Sequence, residues 1–264
     1  MGQVLVITSG KGGVGKTTTT ANLGAGLANI GKKVVLVDTD IGLRNLDVVL
    51  GLENRIVYDL VDVVEENCQI KQALIKDRRF KNLFLLPAAQ TKDKNAVSPE
   101  QMQKLTASLK KDFDFVIIDC PAGIEQGFKN AIAGAEIALI VTTPEISAVR
   151  DADRIIGLLD AAGLHEPKLI INRIRPEMVK RGDMMGITDM IEILNIELLG
   201  VIPDDELIVV STNKGEPVVL DQKSRSGQAY RNIVQRIMDV EVPFIDLFEG
   251  TGFMSRLKKL IGMK

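Results

Sequence analysis

The chain carries 264 residues, of which 45% are hydrophobic, 26% charged and 4% aromatic, with a formal net charge of −2. That length and apolar content suffice for one sizeable core, and the near-neutral balance supplies no general basic field to draw in nucleic acid. Cys68 and Cys120 lie far apart with no C-x-x-C pair, and His165 is the single histidine, which excludes a sequence-local zinc knuckle, a thioredoxin-like motif and zinc catalysis by paired histidines.

In chain order, the first apolar run, QVLVITS at 3–9, predicts a strand that begins almost at once. No charged region, long apolar stretch and small-residue cleavage site come before it, so no secretory leader is expected. Nothing approaches the ~20 consecutive apolar residues of a membrane span. Both cysteines are expected as reduced thiols of a cytoplasmic protein.

The next stretch, SGKGGVGKTTTT at 9–20, holds Gly10-x-x-x-x-Gly15-Lys16-Thr17, the Walker A spacing, between that strand and a helix predicted at 15–30. Gly12, Gly13 and Gly15 let backbone N–H groups face phosphates, with Val14 and Thr18 in the same cradle, and the helix start adds its positive end. Lys16 would neutralise the β- and γ-phosphates of a nucleoside triphosphate, and the Thr17 hydroxyl would ligate Mg²⁺. An ordinary phosphate loop leaves Lys11 unexplained.

A second strand, KVVLVD at 33–38, sends Asp38 and Asp40 toward the crevice at its carboxyl end. Such acids can orient an attacking water or stand beside the metal; alternatively, either one only caps the next turn. A helix follows at about 57–66 and a strand at 82–88. SPEQ at 98–101 opens a helix at about 99–111, with Ser98 as cap, Pro99 in the first turn and Gln101 completing a capping box. DFVIIDC at 114–120 then places Asp119 at the end of a buried strand, as the acid beside the metal.

Further strands at 136–143, 168–173 and 198–204 alternate with helices at 147–162, 187–194 and about 225–238. The seven strands are continuously apolar rather than alternating. They predict a doubly wound α/β domain with a mostly parallel sheet, flanked by helices and binding its ligand at the carboxyl ends of the strands.

The composition shifts at the end. Residues 1–242 are expected as the P-loop ATPase domain and 243–252 as a linker. The last twelve, 253–264, hold no acid and carry Arg256, Lys258, Lys259 and Lys264, so they are +4 against −6 for the rest. On a helix Phe253, Met254, Leu257, Leu260 and Ile261 make one apolar stripe, with the bases mostly opposite or flanking it. The pattern predicts an in-plane amphipathic membrane anchor; a helix of ~18 Å is too short to cross a ~30 Å hydrocarbon core.

KGGVGKT with Lys11, DTDIGLRNLDVVLG, DCPAGIE and INR followed by VIPDD together resemble the deviant Walker A ATPases, the ParA/MinD family with a SIMIBI-like P-loop fold, and within it the division-site selection branch. The likeness runs along essentially the whole chain. It implies that Lys11 reaches across an ATP-dependent homodimer to the partner's phosphates, in the manner of an arginine finger. It implies that Asp40 positions the attacking water and that Asn172, Pro203, Asp204 and Asp205 surround the adenine. Arg44 and Asn45 fall in a first switch and Gly123 in a second. Arg44, Asn45 and the SAVRDADR stretch, with Asp151 and Asp153, match the region that meets partners. The partners implied are a MinC-like division inhibitor, a MinE-like or other topological factor that stimulates hydrolysis, and the anionic inner face of the cell membrane. A DNA-partitioning relative would want a basic surface that the −6 body does not offer, and a flagellar-number regulator shares the loop and a tail.

Overall fold

The computed structural model describes residues 2–93 and 96–248. The anchor expected at 253–264, with Phe253, Met254, Leu257, Lys258, Leu260 and Ile261, lies outside them.

Strand β1 (Gln3–Thr8) leads into α1 (Lys16–Asn29), β2 (Val34–Asp38) and the short helices α2 (Leu46–Val49), α3 (Leu60–Val64) and α4 (Ile70–Ala73). Next come β3 (Ile75–Lys76), β4 (Leu83–Leu86), α5 (Pro99–Leu109), β5 (Phe115–Asp119), α6 (Gln126–Ile132), β6 (Ile137–Thr142) and α7 (Ile146–Ala161). The chain continues through β7 (Lys168–Ile174), α8 (Pro176–Arg181), α9 (Ile187–Leu194), β8 (Glu197–Pro203), α10 (Glu206–Asn213) and α11 (Arg225–Ile237).

Among the described residues the strands form one eight-stranded sheet in the order β3-β4-β2-β5-β1-β6-β7-β8. Every pairing is parallel except that of β3 with β4. Alternate side chains enter two cores. Val4 and Val6 pack on the face covered by α3, α5, α6, α7 and α9, while Leu5 and Ile7 pack on the face covered by α1, α2 and α11. With both faces dry, the central strands must be apolar throughout, which is why they read as unbroken runs.

The seven apolar runs all become strands. The eighth strand, β3, has two residues and is an antiparallel edge, too short to show a period. Helices α2, α4, α6, α8 and α10, of four to eight residues each, are likewise missed by periodicity. The α5 cap forms as predicted: Gln101 N–H donates to Ser98 Oγ at 3.2 Å, and Ser98 N–H donates to Gln101 Oε1 at 2.8 Å.

At the β8 edge Arg236 reaches from α11 to donate to the carbonyls of Leu199 (2.9 Å) and Val242 (3.0 Å). The following chain runs back along α11, held by Asn232 on the Pro243 carbonyl at 3.0 Å and Arg225 on the Asp246 carbonyl at 2.6 Å. Leu247 and Phe248 are buried. The stretch expected as a linker from 243 therefore packs on the body as far as Phe248, because its apolar residues find core to cover. No described helix is long and apolar enough to cross a membrane.

Candidate nucleotide site

Because β1, β2 and β5 are neighbours in a parallel arrangement, the loops after them meet at one end of the sheet. The loop after β1 turns through Gly13 (φ 78°) and Gly15 (φ 100°), backbone conformations that a side chain would strain. Helix α1 then starts at Lys16 with no side-chain cap and no acid in its first turn, which leaves its N–H groups to an anion.

The two lysines of this loop have different surroundings. Lys16 is buried, and its Nζ donates to Ser9 Oγ at 2.9 Å; Ser9 Oγ donates to the Lys11 carbonyl at 2.8 Å. Lys11 reaches out of the loop, donating to Glu145 Oε2 at 2.9 Å and Ser147 Oγ at 3.1 Å at the start of α7. The Lys11 and Glu145 side chains are 40% and 60% exposed.

Next to Lys16 lie the acids. Asp119 accepts a hydrogen bond from Thr20 Oγ1 at 3.0 Å. Burial pushes its carboxyl up to about 6, against the opposing pull of the Thr17 hydroxyl, the Lys16 charge and Thr20. Asp38, its register partner across β2 and β5, is also buried and raised well above the usual range, by burial first and then by Asp119. The charge of Asp40 also reaches Asp119. Buried carboxylates so close together leave the site short of positive charge.

The donors suit a hard cation: the Thr17 hydroxyl and the Asp119 carboxylate are oxygen ligands of the kind Mg²⁺ takes alongside phosphate and water. Among the described residues no group of three or more His, Cys, Asp or Glu makes an all-protein metal cage. Asp38 is occupied differently. Its Oδ1 accepts the Asp40 N–H at 2.9 Å and its Oδ2 the Leu46 N–H at 3.3 Å, so Asp38 holds the turn after β2 while each of its oxygens keeps a second lone pair facing the site.

The switch residues follow. Arg44, at φ 46°, pairs through Nε with the buried Asp47 at 2.9 Å, and its side chain is only 15% exposed; Asn45 is exposed. Gly123 has φ 94°. Asp151 abuts the loop, since a Cβ on Gly10 would lie 2.5 Å from its carbonyl oxygen, whereas Asp153 is exposed.

On the far side of the loop, Asn172 from β7 donates to the Val14 carbonyl at 2.7 Å. Pro203 ends β8, and Asp204 pairs with Arg175 at 2.6 Å. Asp205 caps α10 at Leu207 N–H and accepts hydroxyls from Ser224 and Ser226; against burial, these bonds hold its carboxyl below the usual range. A cleft of about 1100 Å³ opens there, lined by Glu145, Ser147, Arg173, Arg175 and Asp204 among others.

Sequence reasoning does not find Ser9, Thr20, Glu145, Ser147 or Ser226. Ser9 and Thr20 carry a weak signal as the first and last residues of the SGKGGVGKTTTT stretch; Glu145 and Ser147 reach Lys11 because β6 lies beside β1.

A sequence model of an AAA domain (AAA_31) matches residues 2–166. The septum site-determining protein MinD of Bacillus subtilis is 58% identical over 267 aligned positions that cover 100% of both chains. The chain belongs to the MinD family. Solved MinD structures agree with this. In the MinC:MinD cell division protein complex of Aquifex aeolicus, the matching chain is 48% identical at a TM-score of 0.86, with 94% of this chain and 100% of that one covered. Septum site-determining MinD of Pyrococcus horikoshii, solved in complex with Mg-ADP, is 33% identical at a TM-score of 0.82, with 90% and 96% covered. Membership in the MinD family favours the division-site branch over the DNA-partitioning and flagellar readings.

Proposed function

We propose that this chain is an ATPase of division-site selection that hydrolyses ATP as a homodimer and holds to the membrane only in its ATP-bound form. The observation that carries the reading is the division of labour between the loop lysines. Lys16 is buried inside the cradle where a bound triphosphate would lie, whereas Lys11 is 40% exposed and held away from the cradle by Glu145 and Ser147, contacts it would exchange for the phosphates of a second copy.

In this reading ATP sits on the loop amides of residues 10–18 with its base toward Pro203, Asp204 and Asp205. Thr17 and Asp119 hold Mg²⁺, which supplies neutralisation of the phosphate oxygens. Asp40 orients a water on the γ-phosphorus; the new P–O bond forms as the bond to the β-phosphate oxygen breaks, giving ADP and phosphate. Lys16 and the partner's Lys11 stabilise the charge that develops, so turnover is slow until two loaded copies meet. Membership in the MinD family and the Mg-ADP complex of the Pyrococcus relative support the nucleotide. The Aquifex MinC:MinD complex supports a MinC-like inhibitor as partner. Asn45, Asp153 and their surroundings are the surface we assign to it, and a MinE-like or other factor would trigger release.

The test is the dependence of specific ATPase activity on protein concentration. A rise at low concentration followed by a plateau is expected of a reaction that needs two copies. Specific activity that stays constant throughout would reject the dimer coupling.

A further inference from the structure

We infer that Thr20 is a positioning residue for the metal site: its buried hydroxyl holds the Asp119 carboxylate in place for Mg²⁺. Thr17 and Thr20 stand three residues apart on α1, so both hydroxyls lie on the helix face turned to the end of β5. Thr17 is half-buried, open enough to meet a cation, whereas Thr20 is 0% exposed and lies one turn deeper. Thr20 Oγ1 is 3.0 Å from Asp119 Oδ1 and 3.0 Å from the Lys16 carbonyl oxygen. It carries a single proton, and a carboxylate is the stronger acceptor of the two.

A threonine in a helix commonly returns its hydroxyl to the carbonyl four residues back, and that bond alone would make Thr20 an ordinary helix residue. The second acceptor gives it a role in the site. Asp119 is 1% exposed at the end of β5, where burial works against its charge. Tying one of its oxygens to α1 fixes the side-chain torsions, and so the direction in which the carboxylate meets a cation beside Thr17. Partners that orient a ligating carboxylate from behind govern metal affinity without touching the metal. Because the other acceptor is the carbonyl of Lys16, the same hydroxyl sits between the residue that meets the phosphates and the acid that meets the metal.

The inference rests on the reading of Thr17 and Asp119 as the Mg²⁺ site. The test measures ATP binding by calorimetry, with Mg²⁺ and with EDTA in its place, for the wild type, Thr20→Val and Thr20→Ser. Valine keeps the shape and removes the hydroxyl; serine keeps the hydroxyl and removes the methyl. Positioning predicts that Thr20→Val weakens Mg-ATP binding by roughly tenfold or more and leaves metal-free ATP binding unchanged, and that Thr20→Ser binds Mg-ATP like the wild type. Equal weakening with and without Mg²⁺, no weakening at all, or a serine variant as weak as the valine one would overturn it. If the valine variant does not fold, Thr20→Cys, with a weak S–H donor at similar size, should show the same Mg²⁺-specific loss. A wild type whose ATP binding does not respond to Mg²⁺ would instead defeat the reading of the metal site itself.

Discussion

Lys11 and Lys16 leave the same loop and end in opposite environments, and their mutants should separate accordingly. The Lys11–Glu145 pair is exposed, and such pairs contribute only about 0–1 kcal/mol. Lys11→Ala is therefore expected to keep its urea midpoint and its ATP binding while losing ATP-dependent dimerisation in analytical ultracentrifugation; normal dimerisation would remove its role in trans. Lys16→Ala should lose nucleotide binding. Asp119 makes a second, independent prediction. Its carboxyl is raised from 3.8 to about 6, so between these values the folded chain holds a proton that the unfolded chain has released. Stability must fall as pH rises through that window, by up to ~3 kcal/mol from this group, and the cost is fully present above it. Asp38 adds a slope of the same sign. Urea unfolding at pH 5 and pH 7.5 without Mg²⁺ or nucleotide should show a smaller loss for Asp119→Asn than for the wild type. Equal losses would mean that the buried carboxyl carries no such penalty.

Individual elements divide into those that carry their own instructions and those that depend on context. Helix α5 is of the first kind, with its cap, Pro99 and Gln101 all local. Ser98→Ala should cost about 1 kcal/mol, lowering the melting temperature by about 2–4 °C with nucleotide affinity intact; an unchanged melting temperature would mean that the cap contributes nothing. The central strands were legible for a related reason, since burial on both faces makes a run such as VVLVD apolar at every position. Helix α10 is of the second kind. Its LIVV run reads like a strand, yet Val209 and Val210 are 62% and 46% exposed on a surface helix that Asp205 starts from outside. The site divides in the same way. The Walker A spacing and Asp119 are local patterns and were readable. The contacts of Lys11 with Glu145 and Asn172 with Val14 join positions that are distant in sequence and meet only through the sheet order and its bulge, and Asp205 meets Ser226 because α11 packs back against β8.

For the whole molecule, the proposed membrane switch turns on charge segregation. A body of −6 is repelled by an anionic membrane, and one +4 tail offers ~4 kcal/mol of attraction plus partial burial of its apolar stripe. Ordering a segment of that length costs about 1–2 kcal/mol per residue, so under this proposal a single tail would bind weakly. In the proposed scheme two tails on one ATP-bound dimer would act together, with an avidity gain of roughly 10²–10⁴. Asp40→Ala, which stalls hydrolysis in this scheme, should keep the dimer and its membrane attachment locked in ATP. The most direct test of the central claim is co-sedimentation with anionic liposomes in ATP, ADP or no nucleotide, using the full chain and a version ending at Gly252. The account predicts pelleting in ATP that is absent in ADP and lost with the tail; pelleting as strong in ADP as in ATP would contradict it.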